Sequence, residues 1–199
     1  GMGYPDSDLL EVLEVNTYGM KRVVDTLLPL LQPQGGRIVN ITSAAGPSFV
    51  EQCTPEHQQL LTSPHVTWEQ IELFLQTCLL ARGNPESFQK LGVGTGSSYG
   101  ISKAAANAYT LVLAREHPAL IINACTPGFI ETELTLPIAQ RYGKTPEEMG
   151  MKQPAEGTVS AMHLLFGKIT ESGHYYGSDS LRSPMHEYRA PGTPAYTGS

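Results

Sequence analysis

The stretch that most limits what this chain can become runs from Gly96 through Ser97, Ser98, Tyr99, Gly100, Ile101, Ser102 and Lys103 into Ala104-Ala105-Ala106-Asn107-Ala108-Tyr109. The alanine run and the apolar Leu111-Val112-Leu113 predict a helix from Ser98 onward. On that helix Tyr99 and Lys103 stand four residues apart and share one face. An ammonium beside a phenol favours phenolate, which brings the tyrosine pKa down and makes it a usable general acid or base. The pair alone also fits an ordinary solvated contact, so its surroundings must decide.

Those surroundings contain two short apolar β-branched runs. Residues 38–42 read as a strand buried on both faces of a parallel sheet, and Ser43 stands just past its C-terminal end, where open α/β sheets place their ligands. By itself Ser43 reads first as a turn or cap residue. Residues 119–125 read as a second buried strand, ending at Pro127-Gly128, where a glycine lets backbone approach a flat ring closely. Upstream, Leu9, Leu13, Asn16, Met20, Val23, Leu27 and Leu31 fall at spacings of three and four, predicting one amphipathic helix that Pro33 and Gly35-Gly36 terminate. Asn16 is the polar member of that stripe and needs partners if buried.

Taken in order, the asparagine in Val15-Asn16-Thr17-Tyr18-Gly19, the serine closing Gly36-Arg37-Ile38-Val39-Asn40-Ile41-Thr42-Ser43, the Tyr-x-x-x-Lys helix, and Ile121 to Thr132 with its Pro127-Gly128 turn resemble the short-chain dehydrogenase/reductase family. The resemblance covers nearly the whole chain but only the later part of the family pattern. It implies an α/β fold, the C-terminal part of a Rossmann-like, doubly wound parallel sheet. It also implies an NADP-dependent oxidoreductase that reduces a ketone or aldehyde carbonyl, with NAD not excluded. Tyr99 would donate the proton, Ser43 would bond the carbonyl oxygen, Lys103 would depress the tyrosine pKa and hold the nicotinamide ribose, and Asn16 would position a relay water. Tyr99, Lys103, Pro127, Gly128, Ile130 and Thr132 would touch the cofactor, with Thr132 reaching its amide or pyrophosphate.

The family's Gly-rich turn between first strand and first helix, which sets a pyrophosphate on a helix N-terminus, has no counterpart in residues 1–37. The pattern is that of a fragment. The 199 residues alone are expected to bind NADPH weakly, to show negligible reductase activity and to be marginally soluble, because only the nicotinamide end is provided for. Gly92-Val93-Gly94-Thr95-Gly96 is no substitute, since it lacks the G-x-G-x-x-G spacing and follows no strand; it reads as a hinge or a close backbone approach.

Ser43 and Tyr99 are 56 positions apart, more than in the shorter family members. The insert, about residues 47–96, carries helical patterns at 55–61 and at 67–81, the latter with Trp68, Ile71, Leu75 and Leu79 on one stripe. It resembles the insert of monomeric carbonyl reductases and their plant relatives, and implies that it covers the helix pair through which oligomeric members dimerise. Past the Pro127-Gly128 turn, residues 133–153 resemble the family's mobile substrate lid. Gln153-Pro154 opens another helix, with Val159, Met162, Leu165 and Phe166 as its apolar side, and His174-Tyr175-Tyr176-Gly177-Ser178 resembles the last short strand. The reductase domain is thus expected over 1–182 and an irregular tail over 183–199.

Composition excludes several classes. A net charge of −6, with no Lys/Arg cluster, argues against nucleic acid or an acidic membrane as partner. The family resemblance implies a small carbonyl or alcohol substrate. No apolar run reaches membrane-spanning length and no signal peptide is evident. Cys53, Cys78 and Cys125 have no Cys-x-x-Cys spacing and suggest reduced thiols in the cytoplasm. His57, His65 and His163 read as packing or solvated residues rather than metal ligands. The sequon Asn40-Ile41-Thr42 lies inside a strand, and the myristoylation-like residues 2–7 follow a Gly1 that looks like a cloning remnant. Two readings compete with a reductase: a non-catalytic relative lacking a cofactor site, and a serine hydrolase. In the second, Gly96-Ser97-Ser98-Tyr99-Gly100 would be a G-x-S-x-G elbow with Ser98 as nucleophile, followed by Asp179 and His186. The elbow needs a strand directly before it, and residues 91–95 are too glycine-rich to be one.

Overall fold

A computed structural model describes residues 8–31 and 34–198. The acylation-like residues 2–7 and the expected helix stop at Pro33 lie outside the described residues. Four strands form one sheet in the order β1 (Arg37–Ile41), β2 (Ile121–Cys125), β3 (Tyr175–Tyr176) and β4 (Arg182–Ser183). The first three are parallel, with Arg37 opposite Ile121 and Ile41 opposite Cys125; β4 returns antiparallel to β3. Both long strands lie within the predicted runs, displaced or trimmed by one or two residues. The β2 start is trimmed because Leu120 closes a turn onto the His117 carbonyl (2.9 Å) after the preceding helix.

Strand alternation separates two cores. Ile38 of β1 and Ile122 of β2 face the larger one, while Val39 and Cys125 face a smaller cluster with Leu164 and Tyr176. Helices therefore cover both faces, as in a doubly wound sheet. The larger core is built around the expected helix, which runs over Ser98–Glu116 and is capped by Ser97, whose hydroxyl accepts from the Gly100 amide. All its residues from Gly100 to Thr110 are buried, and the small ones let neighbouring elements approach from every side.

The first predicted helix is not continuous. It comprises α1 (Leu9–Leu13), a π-turn (Glu14–Tyr18) and α2 (Gly19–Leu27), then a 3₁₀ turn over Leu28–Leu30. Asp8 caps α1, its carboxylate accepting from the Leu10 amide at 2.9 Å. A π-turn inserts one residue into the helical repeat, so the stripe moves on by one: Leu9, Leu13 and Asn16 are buried as expected, but beyond the turn Val24 is buried in place of Val23, which is 57 % exposed. Leu28 packs on the core in place of Leu27.

The insert forms α3 (Ala45–Val50), α4 (Pro55–Thr62), α5 (Trp68–Ala81) and α6 (Pro85–Leu91), making the Ser98–Glu116 helix α7. Thr67 and Gln70 close a capping box at the start of α5, and Asn84 caps α6. Ile71 and Leu75 are fully buried, and Trp68 packs edge-on to Tyr18 at 6.0 Å and to Tyr109 at 5.3 Å. The Lys21 ammonium lies 5.2 Å from the indole. One side chain thus bridges the π-turn and α7. The glycine loop after α6 is a close approach and no hinge: at Gly96, with φ +70°, a Cβ would come within 2.2 Å of the Phe88 ring, and Val93 is fully buried opposite Cys53.

Three expectations need correcting. β1 packs on both cores through Ile38 and Val39 but is the sheet edge among the described residues, so it is only partly buried and Ile41 at its end is 48 % exposed. Past α8 (Leu136–Arg141) and a 3₁₀ turn over Pro154–Thr158, the helix α9 (Val159–Phe166) buries Ser160 and Leu164, leaving Val159, Met162, Leu165 and Phe166 exposed. The Ser160 hydroxyl donates to the Gly177 carbonyl and Arg37 donates to the Leu164 carbonyl, and these polar bonds set the roll of the helix against its apolar side. The tail carries no helix or long strand, yet the boundary at 182/183 cuts through β4, and residues beyond it are tied back: Arg189 pairs with Asp179, and the Tyr196 amide donates to the Arg182 carbonyl.

Candidate active site

The C-terminal ends of β1 and β2 open onto a cleft of about 380 Å³. Ser43 is set there by the turn that starts α3, where the Gly46 amide donates to its carbonyl at 3.0 Å and the Ala45 amide to its hydroxyl at 3.2 Å. Gly128 enters from the other side with φ +93°, and a Cβ there would stand 3.0 Å from that of Ser178, so the turn keeps its backbone bare. Tyr175, Tyr188 and Lys152 complete the walls. Lys152 is held by a two-way backbone pairing with the chain at 129–131, which closes the base of the expected lid.

Tyr99 of α7 hydrogen-bonds to Ser43, which lines this cleft. One turn on, the Lys103 ammonium lies 5.5 Å from the Tyr99 ring centroid and donates to the Ile41 carbonyl at 3.3 Å. Lys103 and Asn16 open instead onto a neighbouring groove of about 530 Å³ along the free edge of β1. The Tyr99–Lys103 contact therefore joins a cleft on one side to a groove on the other. Asn16 donates to the Ser102 hydroxyl at 3.1 Å, Ser102 in turn donates to the Tyr99 carbonyl at 2.8 Å, and the Thr17 hydroxyl donates to the Ser102 carbonyl at 3.1 Å. The π-turn is thereby fastened to α7 between its two chemical residues. Ser102, Ile41 and Lys152 were missed in the sequence; a serine inside an alanine run was the one available signal.

The electrostatics differ from expectation. Burial raises the Tyr99 pKa, with the Ser43 hydrogen bond opposing it, so the phenol is held protonated and is not lowered by its neighbour. Burial acts on the lysine too, pushing Lys103 down to about 8, so it stays mostly charged at neutral pH. Lys103 is only 7 % exposed, and among the described residues no carboxylate pairs with it. A buried cation with one carbonyl acceptor has unused donors, and ribose hydroxyls supply the acceptors it lacks. Gly128 forms part of the cleft wall, and with ribose acceptors for Lys103 the nicotinamide end of a dinucleotide fits these residues. Thr132 does not converge with them: it is exposed and bonds to Thr135 before α8. Ile130 is buried against Gly157, leaving only its backbone for a ligand.

The hydrolase arrangement is not assembled. Ser98 is the first residue of α7 and follows a left-handed glycine loop, not a strand. Asp179 is taken up by Arg189 and the Gly192 and Leu181 amides, and His186 packs on Tyr196 at 5.7 Å.

Comparison with known proteins bears on the family and the fold. No family model matches the chain. Short-chain dehydrogenase/reductase 1 of Saponaria officinalis is 34% identical over 170 residues, 83% of this chain and 52% of that protein. Salutaridine reductase of Papaver bracteatum is 33% identical over 86% of this chain and 52% of its own length. The solved structure of salutaridine reductase from Papaver somniferum superposes with a TM-score of 0.67 at 29% identity, covering 84% of this chain and 54% of that one. This chain belongs to the short-chain dehydrogenase/reductase family. It spans about half the length of the curated relatives it matches. Menthone neomenthol reductase from Mentha piperita, with a TM-score of 0.64 and 29% identity over 85% of this chain and 50% of that one, shares the fold as well.

The buried lysine gives a prediction that needs no ligand. Its folded pKa of about 8 lies below the ordinary 10.5, so between those values the unfolded chain holds the extra proton and the lysine's contribution to stability rises with pH. Lys103→Met, which keeps the stem and removes the charge, is expected to raise stability at pH 7 by up to about 3 kcal/mol. The advantage should shrink as pH climbs through that window. Thermal unfolding at pH 7 and pH 10 checks both points; a variant less stable than the parent at pH 7 contradicts them.

Proposed function

We propose that this chain carries the catalytic half of an NADP-dependent carbonyl reductase, acting on a ketone or aldehyde. The observation that supports it most is the hydrogen bond of Tyr99 to Ser43 on the cleft wall, with Lys103 buried against the phenol ring. The relatives named as reductases, among them human carbonyl reductase [NADPH] 1 at 31% identity over 68% of this chain and 49% of that protein, favour the same chemistry and the phosphorylated cofactor.

A bound reduced nicotinamide supplies the hydride that the carbonyl carbon accepts. The substrate oxygen sits between the Ser43 hydroxyl and the Tyr99 phenol, both donating to charge that grows on that oxygen in the transition state. Tyr99 then gives up its proton as the alkoxide forms. The raised phenol pKa suits this direction, because the residue waits protonated at neutral pH. Lys103 holds the nicotinamide ribose and restrains the tyrosinate left behind, while Asn16, fixed through Ser102, positions the water that returns a proton along the lysine. Pro127, Gly128 and the Ile130 backbone border the nicotinamide, and Thr132 reaches it only if the segment before α8 moves. Loss of the Lys103 charge above pH about 8 weakens cofactor retention on the alkaline side.

Two tests follow. With the family's Gly-rich half supplied upstream, carbonyl reduction should appear, and Tyr99→Phe should lower turnover by about three orders of magnitude or more while leaving the fold intact. Near-normal reduction by Tyr99→Phe contradicts the assignment. The joined protein is also read as a single-chain enzyme, because Trp68 covers the junction of the π-turn and α7. Sedimentation at the mass of one chain supports that reading, and a stable tetramer with Trp68 still covered refutes it.

A further inference from the structure

A third cavity, of about 610 Å³, lies beyond β3 and β4 from the cleft at Ser43 and shares Tyr175 and Ser183 as walls with it. One wall is apolar, made by Leu111 and Ala114 of α7, and Gly173 keeps it open because a Cβ there would stand 3.4 Å from that of Ala114. The opposite wall carries Arg182. Its guanidinium donates to the Gly198 carbonyl at 2.7 Å and packs over the Tyr196 ring at 5.9 Å, and among the described residues no carboxylate pairs with it. The acids nearby are otherwise engaged and turned to solvent: Glu171 at 3.5 Å from His174, Glu187 at 3.7 Å from His186 and Glu116 at 3.7 Å from Arg115, with exposures of 62%, 55% and 54%. Arg115 is spent on the Pro64 and Val66 carbonyls, which fixes the insert as the cavity's rim. At His174, on the cavity wall, the charge of Arg182 acts more strongly than that of Glu171.

We infer that this cavity binds a small planar carboxylate, an aromatic acid whose carboxyl group pairs with Arg182 and whose ring lies between Tyr196 and the Leu111–Ala114 wall. A guanidinium with free donors in a fixed plane recognises a carboxylate through two parallel hydrogen bonds, and its partial removal from water strengthens them. An apolar wall facing a tyrosine ring takes a flat ring by area and edge contact. The site needs neither the cofactor nor the residues at Tyr99, so it stands or falls separately from the reductase reading.

Isothermal titration of the 199-residue chain with 2-naphthoate and with the uncharged 2-naphthamide tests it. One-to-one binding of naphthoate, with the amide about tenfold weaker or more, is expected. Arg182→Gln should abolish that preference, and Ala114→Phe, which fills the apolar wall, should abolish binding of both. If either variant fails to fold, nuclear Overhauser contacts between naphthoate ring protons and the Ala114 methyl in the unaltered chain decide the matter. Equal affinity for acid and amide, indifference to Arg182→Gln, or no contact with Ala114 overturns the inference.

Discussion

An ammonium buried beside a tyrosine ring is the feature on which the rest of this structure depends. Lys103 is held out of water with a single carbonyl, that of Ile41, and an aromatic face for company. Such a group costs stability unless something else constrains it. Here the constraint is α7 itself. Its small residues admit the sheet, the π-turn, α3 and the insert on successive sides, so the helix cannot rotate to return its lysine to solvent. The π-turn is part of the same fixture: it bonds Asn16 and Thr17 to Ser102, next to Lys103 and one turn on from Tyr99. The stability given up at one lysine becomes a fixed cation next to a buried phenol.

Much of this was legible because it rests on local rules. Tyr99 and Lys103 share a face by helical spacing alone, and the two β-branched runs could only be strands of a covered parallel sheet. The helical pattern at 55–61 and the stripe through Trp68, Ile71 and Leu75 placed α4 and α5 to within a residue, whereas α3 and α6 were not expected. The Gly128 turn was visible from its dipeptide. The order of these features, more than any one of them, carried the family resemblance that the relatives support.

What could not be read depends on polar bonds between distant segments. No periodicity announces the π-turn, since its cause is the tie from Asn16 and Thr17 to Ser102, 85 and 86 residues away. One inserted residue then moves the buried stripe from Val23 to Val24. Likewise the roll of α9 follows from Ser160 and Arg37, and a pattern of apolar letters points the wrong way. The direction of the Tyr99 shift was misjudged for a related reason: spacing reports that two groups are close, whereas burial of both decides which form of each is favoured. Thr132 was assigned from the motif, but its hydroxyl is committed to Thr135.

Reduced nicotinamide mononucleotide carries the ring and ribose of the cofactor without the adenylate half, and so addresses only the residues described here. The central claim is that Lys103, Tyr99 and the Gly128 turn recognise that end. Saturation-transfer nuclear magnetic resonance on the 199-residue chain should show the nicotinamide and ribose protons in contact with protein, and Lys103→Met should remove the ribose contacts from a chain that remains folded. Absence of transfer to the unaltered chain, or identical transfer to the Lys103→Met chain, would contradict the account.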